Sequence, residues 1–311
     1  VMEAAAICRE QGCDFIIGLG GGSTIDSAKA IAVMACNDGD FWNYVTGGSG
    51  KGRPVTKALP IVAIPTTAGT GTEADPWAVI TNEEKQEKIG FGCSLTFPAL
   101  SIIDPELMIS IPPHLTAYQG FDAFFHAAEG FIANCATPIS DLYALEAIRL
   151  LYKYLPVAVN DGKNLKARAK VAWASTLAGL VEATSSCTSE HSMEHAMSAY
   201  YPQLPHGAGL IALSEAYFET FRNDCMKRYM KMADVMTQQK SNRPSDFIDA
   251  LARMKKECHV DNIKLSEWGL KEEDLPKMVQ NARDTMGGLF TLDPRPLTDD
   301  EVLNIYRQSY K

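Results

Sequence analysis

The sequence predicts two architectures in series: a parallel α/β part over residues 1–111, then an all-helical part over residues 112–311. Three observations carry that expectation. Two apolar runs, residues 14–19 and 59–64, each end in a loop rich in glycine or threonine. A helical stretch lies between them, which is the strand–helix–strand order of a parallel sheet. After Asp104-Pro105 and Ile111-Pro112-Pro113 the strand signals stop, and helical periodicity fills the rest of the chain.

The elements follow in order. Residues 1–11 read as a helix with Met2, Ala5, Ala6 and Cys8 on its apolar side and Gly12 as its C-cap. Residues 14–19 form a buried strand, and Ser23 opens a helix running to about Cys36. Residues 37–57 carry turn formers throughout and read as a loop. The second strand, 59–64, ends at Pro65 and leads into TTAGTGTE. A strand over 78–81, a charged turn NEEKQEK and a last strand near 101–103 complete the first part. Helices are expected near 115–134, 139–159, 164–186, 188–199, 208–219, 222–237, 244–257, 273–284 and 298–309. The opening helix leads into a parallel strand with no strand before it, so the chain is expected to be a piece of a longer one.

Composition narrows the function classes. Of 311 residues, 46% are hydrophobic and 22% charged, as in a globular protein, and the net charge is -9. An acidic chain without a basic run offers no footprint for nucleic acid or an anionic membrane. No apolar run is long enough to span a bilayer. The opening VMEAAAICREQGCD has no basic head or cleavage site, so a cytoplasmic protein is expected. The eight cysteines are scattered without a CxxC pair and read as small apolar residues.

The chemistry concentrates in two sets of residues. Gly20-Gly21-Gly22-Ser23 stands between a strand and a helix, where backbone N–H groups and the helix dipole suit a phosphate. Ser23 takes the place of the third glycine of a full dinucleotide fingerprint, and a ligand-free tight turn accounts for the run about equally well. Thr66, Thr67 and Thr70 end the next strand, and loops at the carboxyl ends of neighbouring parallel strands line one crevice. Together the two loops favour a nucleotide phosphate.

The second set is built from histidines. Of the six, His114 and His259 read as surface or cap residues. Asp122 and His126 are spaced i, i+4 on one helix, and His191 and His195 repeat the spacing on another, with His206 shortly after. The surroundings GFDAFFHAAEGFIA are apolar, so an anionic Asp122 needs a partner or a cation. One carboxylate and several imidazoles suit Fe(II) or Zn(II). A cofactor crevice beside a metal site points to hydride transfer between an alcohol and a nicotinamide. Phe125, Phe131, Trp77 and the Tyr200–Tyr201 pair are candidates for an apolar substrate pocket, though core packing explains them equally well.

The stretches IIGLGGGSTIDSAKAIA, LPIVAIPTTAGTGTEA, IIDPEL, GFDAFFHAAEGFIA, SEHSMEHAMSAYYPQLPHG and DPRPLTDDEVLNIYR resemble the iron-containing (group III) alcohol dehydrogenase family over essentially the whole chain. The resemblance implies a Rossmann-like cofactor domain followed by an all-α metal-binding domain, a dehydroquinate synthase-like architecture. It implies Asp122, His126, His191 and His206 as metal ligands, and His195 as a catalytic histidine near nicotinamide and substrate. Gly20, Gly21, Gly22 and Ser23 would hold the pyrophosphate with Asp26 nearby, Thr66, Thr67 and Thr70 would contact the cofactor, and Lys88 would face it. Lys29 is assigned packing on the helix surface. The implied partners are Fe(II), with Zn(II) as the alternative, NAD or NADP, and a small primary alcohol or aldehyde, in a homodimer or higher homo-oligomer. Two departures stand out: the run from His195 to His206 is one residue longer than in some relatives, and Asp75-Pro76-Trp77 stands where relatives vary. Family members also begin with an additional βαβ region, on the order of 60–80 residues, so the cofactor domain is expected to be truncated at its N-terminus. Alternative readings are a polyol or glycerol dehydrogenase or a dehydroquinate-synthase-like lyase of the same fold, or a metal-binding fragment lacking cofactor and activity. No Lys/Arg cluster of the kind a lyase would need surrounds the ligands.

Overall fold

The computed structural model describes residues 1–310. The first helix, α1 (Met2–Gln11), stops at Gly12, whose φ of 63° is the left-handed conformation glycine adopts without strain. Strands β1 (Ile16–Gly20), β2 (Ile61–Pro65) and β5 (Leu100–Ser101) form a parallel sheet in the order β1-β2-β5, with Ile16 opposite Ile61 and Val62 opposite Leu100. Helix α2 (Gly22–Met34) lies on one face, burying Ile25, Ala28, Ala32 and Val33. The other face carries Ile17, Leu19 and Leu100, each more than half exposed.

Two features differ from the expectation. Helix α2 is capped by Gly21, not opened by Ser23: the Gly21 carbonyl accepts from Thr24 N at 3.0 Å and Ile25 N at 3.2 Å. Ser23 therefore sits within the first turn. The second difference is a hairpin of β3 (Ala78–Asn82) and β4 (Glu87–Phe91), antiparallel and separate from the main sheet. The end of the charged run NEEKQEK is strand, not turn. Its Glu87 accepts from Trp42 Nε1 at 2.9 Å and Ser49 N at 2.8 Å, so partners remote in sequence satisfy a charge that read as part of a turn.

From Pro113 onward the chain is helical. The helices are α3 (Pro113–Ile132), α4 (Pro138–Asn160), α5 (Leu165–Thr184), α6 (Ser189–Tyr200), α7 (His206–Thr220), α8 (Met226–Thr237), α9 (Ser245–Glu257), α10 (Leu275–Met286) and α11 (Asp299–Ser309). Helix α3 is apolar nearly all round and becomes the central helix, buried from Gly120 to Ile132. Phe121, Phe124 and Phe125 pack with Phe218, Tyr229 and Phe247 into one aromatic core. Phe125 and Phe131, candidates for a substrate pocket, belong to this core; Phe131 is covered by the Arg228 guanidinium at 4.5 Å. Among the described residues, no helix is long and apolar enough to cross a membrane.

Two of the contacts that join the α/β and helical parts hold the junction closely. Gly71, at φ 63°, lies so close to α5 that a Cβ there would meet Gly179 N at 2.5 Å. A glycine faces a glycine, and only that pairing lets the loop after β2 rest on the helix. Arg168 on α5, 3% exposed, donates to Ile111 O at 2.9 Å and Thr116 Oγ1 at 2.8 Å, holding the junction from the other side.

Candidate metal and cofactor cleft

Helices α3, α6 and α7 bring the expected ligands together. Asp122 and His126 leave α3 on one face, His191 comes from α6, and His206 is the first residue of α7. Asp122 Oδ1 lies 3.5 Å from His126 Nε2, 3.5 Å from His191 Nε2 and 3.4 Å from His206 Nε2. Ligand atoms on a tetrahedron with bonds of about 2.1 Å are separated by about 3.4 Å. The three separations from Asp122 Oδ1 match those between atoms of one coordination shell. Asp122 Oδ1 and His191 Nε2 are buried with no hydrogen-bond partner, which is costly unless a cation lies between them. The donor set and the orphaned atoms together fit a divalent metal.

Electrostatics agree. Burial alone would raise the Asp122 carboxyl, but His126 and His206 outweigh it and hold it well below the usual range. Burial pushes the His126 imidazole down to about 3, leaving it neutral as a ligand must be. Burial would also lower His191; the neighbouring Cys187 and Glu129 overcome that and raise it.

Two fully buried carboxylates aim the rings. His191 Nδ1 donates to Glu129 Oε1, and Glu129 Oε2 accepts from Thr188 N and Thr188 Oγ1, both at 2.8 Å. His206 Nδ1 donates to Glu194 Oε2, which also accepts from Lys88 Nζ at 3.1 Å. Each carboxylate fixes the tautomer that turns Nε2 toward Asp122. Sequence reading passed over both. The available signal was that Glu129 and Glu194 each stand three residues after a ligand on the same helix, Glu129 in apolar surroundings.

His195 lies one turn beyond His191, its ring 5.3 Å from that of His206. It is 4% exposed and its Nδ1 has no partner. Burial, then the Lys88 and His206 charges, hold its pKa well below the usual value, so the ring is neutral.

A cavity of about 290 Å³ runs from this cluster toward the α/β part. Ser23, Asp26, Thr70 and Lys88 border it opposite Asp122, His126, His191, His195 and His206. Of the aromatic candidates Trp77 borders it, while Tyr201 points away and donates to Asp274 at 2.6 Å. Met286 and Leu289, unforeseen from the sequence, complete an apolar wall with Val79.

The glycine loop and the threonine loop touch. A Cβ on Gly21 would meet Thr67 Cγ2 at 3.3 Å, and one on Gly22 would meet Thr70 Cγ2 at 2.5 Å. Thr66 N donates to Gly20 O at 2.8 Å. Gly20, Gly21, Gly22, Thr66 and Thr67 thus form the floor behind Ser23 and Thr70. Asp26 faces the cavity with both oxygens taken, accepting from Thr72 Oγ1 at 2.7 Å and Val79 N at 2.9 Å.

Lys29 corrects the sequence reading outright. It is not on the helix surface but fully buried, its Nζ ringed by Thr72 O, Thr72 Oγ1, Asp75 O, Asp75 Oδ1 and Trp77 O, all within 3.2 Å. Asp75 and Trp77 supply three of those five oxygens.

Comparison with known proteins supports the same conclusion from outside. Residues 1–105 match the family described as iron-containing alcohol dehydrogenase, and residues 116–310 match the C-terminal part of the Fe-containing alcohol dehydrogenase family. Alcohol dehydrogenase 4 of Schizosaccharomyces pombe is 32% identical over 99% of this chain and 72% of its own length. The NAD-dependent methanol dehydrogenase of Bacillus methanolicus is 32% identical over 99% of this chain and 80% of its own. The solved structure of an archaeal halo-thermophilic alcohol dehydrogenase from a Red Sea brine pool superimposes with a TM-score of 0.94 at 36% identity, covering 99% of this chain and 80% of that one. The matches claim both sides of the cleft, and the chain belongs to the iron-containing alcohol dehydrogenase family.

Proposed function

We propose that the protein oxidises a small primary alcohol to its aldehyde, reversibly, with NAD or NADP, using a divalent metal held by Asp122, His126, His191 and His206. The observation that carries this reading is Asp122 Oδ1, unpartnered and ringed by three imidazole nitrogens at 3.4–3.5 Å, in a cavity that Ser23 and Thr70 also border. A divalent cation there supplies Lewis acidity toward an alcohol or carbonyl oxygen, and a nicotinamide supplies the hydride acceptor.

The chain's own residues do the rest. Gly20, Gly21, Gly22 and Ser23, at the N-terminus of α2, bind the pyrophosphate, with Thr66, Thr67 and Thr70 beside it. Asp26 holds β3 against α2 at the cofactor's edge. Lys88 faces the cofactor from β4 and keeps Glu194 ionised against His206. Neutral His195 takes the hydroxyl proton as the alcohol is oxidised and returns it in the reverse direction. Val79, Trp77, Met286 and Leu289 exclude water and favour short, unbranched substrates.

Fe(II) is the metal we assign, Zn(II) being the other cation that an Asp/His set accepts. The division of labour follows the change of architecture: residues 1–111 for the cofactor and 112–311 for the metal. We assign the protein to the cytoplasm, as a homodimer or higher homo-oligomer. The test is absorbance of reduced nicotinamide with a primary alcohol, each cofactor and added Fe(II). Bound metal with no turnover of either cofactor would overturn the reading.

A further inference from the structure

The eight cysteines looked alike in the sequence, but the fold separates one of them. Cys225 and Cys258 are buried among apolar side chains of the helical core. Cys187, in the turn before α6, borders the cavity instead. Among the described residues it is the only cysteine grouped with potential metal ligands: its Sγ and ring nitrogens of His126 and His191 lie within 4.8 Å of one another. Its thiol donates to Glu182 Oε1 at 3.1 Å, and that oxygen lies 3.6 Å from His126 Nε2. Opposite it stands the oxygen-bearing group of Asp122, His191 and His206. The two groups share His191, and His126 Nε2 stands 3.5 Å from Asp122 Oδ1, so the two groups adjoin.

We propose that Cys187 provides this centre with a thiolate ligand, creating with His126 and His191 a soft metal position beside the Asp122 position, and so sets which divalent ion the protein retains. The inference rests on the metal reading above and goes beyond its ligand set. Thiolate selects Zn(II) and its softer analogues, whereas carboxylate and imidazole accept Fe(II) readily. Binding replaces the S–H bond with a sulfur–metal bond, and the proton leaves to solvent through the cavity that Cys187 and Glu182 both line. Glu182, pointing at both Sγ and His126, holds the thiol toward the ligands in the metal-free protein.

Co(II), a spectroscopic stand-in for Zn(II), tests this without recourse to activity. The metal-free protein is titrated with Co(II) alone, as wild type and as Cys187→Ser, whose hydroxyl keeps the hydrogen bond to Glu182. The expected result is a sulfur-to-cobalt charge-transfer band in the near ultraviolet for wild type, absent from Cys187→Ser, with visible ligand-field bands in both. Against a chelator, Zn(II) retention by Cys187→Ser should fall at least about tenfold while Fe(II) retention changes little. Stoichiometric Co(II) binding with identical spectra for the two proteins overturns the role of Cys187 and leaves the dehydrogenase reading intact. Failure of the wild-type protein to bind either Co(II) or Fe(II) overturns both.

Discussion

Two buried charge clusters face each other across the cavity, and they are built on opposite principles. Around Lys29 the charges are answered from within the chain: one ammonium, five oxygens within 3.2 Å, and two carboxylates, Asp26 accepting from Thr72 and Val79 and Asp75 from Trp77. Burial pushes Asp26 and Asp75 up, Asp75 to about 7, and the Lys29 charge pulls both back. Around Asp122 the outer rim is answered, through Glu129 and Glu194, but the centre is not. Orphaned atoms converge there. A saturated cluster is a clamp, and an unsaturated one with a saturated rim is a receptor.

The sharpest break in that comparison comes from removing one charge on each side. Asp122→Asn should lower metal affinity by more than about 100-fold, with little change in the unfolding midpoint of the metal-free protein; elemental analysis and calorimetry read the two. Lys29→Met should do the reverse. It strands Asp75 without its cation, at a cost of about 3–5 kcal/mol, so denaturant unfolding should shift strongly while the folded fraction still takes up metal. Metal loss without destabilisation in Lys29→Met would erase the distinction between clamp and receptor.

The next effect concerns the floor between the clusters. Gly22→Ala puts a methyl 2.5 Å from Thr70 Cγ2, an overpacking worth about 1–3 kcal/mol. Adding Thr70→Ser removes the clashing methyl and should restore most of the stability and the cofactor KM. If the double variant recovers stability but not the KM, Gly22 is required by the phosphate rather than by Thr70.

The smallest effect lies behind the receptor. Asp293 is 2% exposed, accepts from Ser189 N at 3.0 Å and Tyr217 OH at 3.1 Å, and is pushed by burial from 3.8 up to about 7. A carboxyl whose folded pKa is raised contributes stability that is fully present below pH 3.8 and is lost as pH rises through about 7. Asp293→Asn keeps the acceptor and removes the ionisation. It should match wild type near pH 4 and melt a few degrees higher at pH 8. Parallel pH curves for the two proteins would refute the assignment.

How much of this was legible beforehand depended on the range of the interaction. The nine helices of the second part among the described residues follow from local periodicity, and α3, α4 and α9 stand within about two residues of their expected bounds. The i, i+4 pairs on α3 and α6 were visible for the same reason. Strand β4 was not, because Glu87 and Lys88 close a charged run that reads as a turn until Trp42, Ser49 and Glu194 are brought to them. Lys29 was misread likewise: its cage lies more than forty residues ahead in sequence. Phe125 beside a ligand looked like pocket lining, yet a helix buried all round points only part of its surface at the site.

By itself the sequence determined the order of architectures, the glycine and threonine loops and the set of Asp and His residues able to hold a metal, since each depends on neighbours within one or two turns. Only the tertiary structure decided which charges are clamps and which are receptors, which carboxylates aim the imidazoles, and which of eight cysteines lies beside His126 and His191. Hydrogen-bond saturation and desolvation depend on what lies within a few ångströms in space, and residues far apart in the chain supply it.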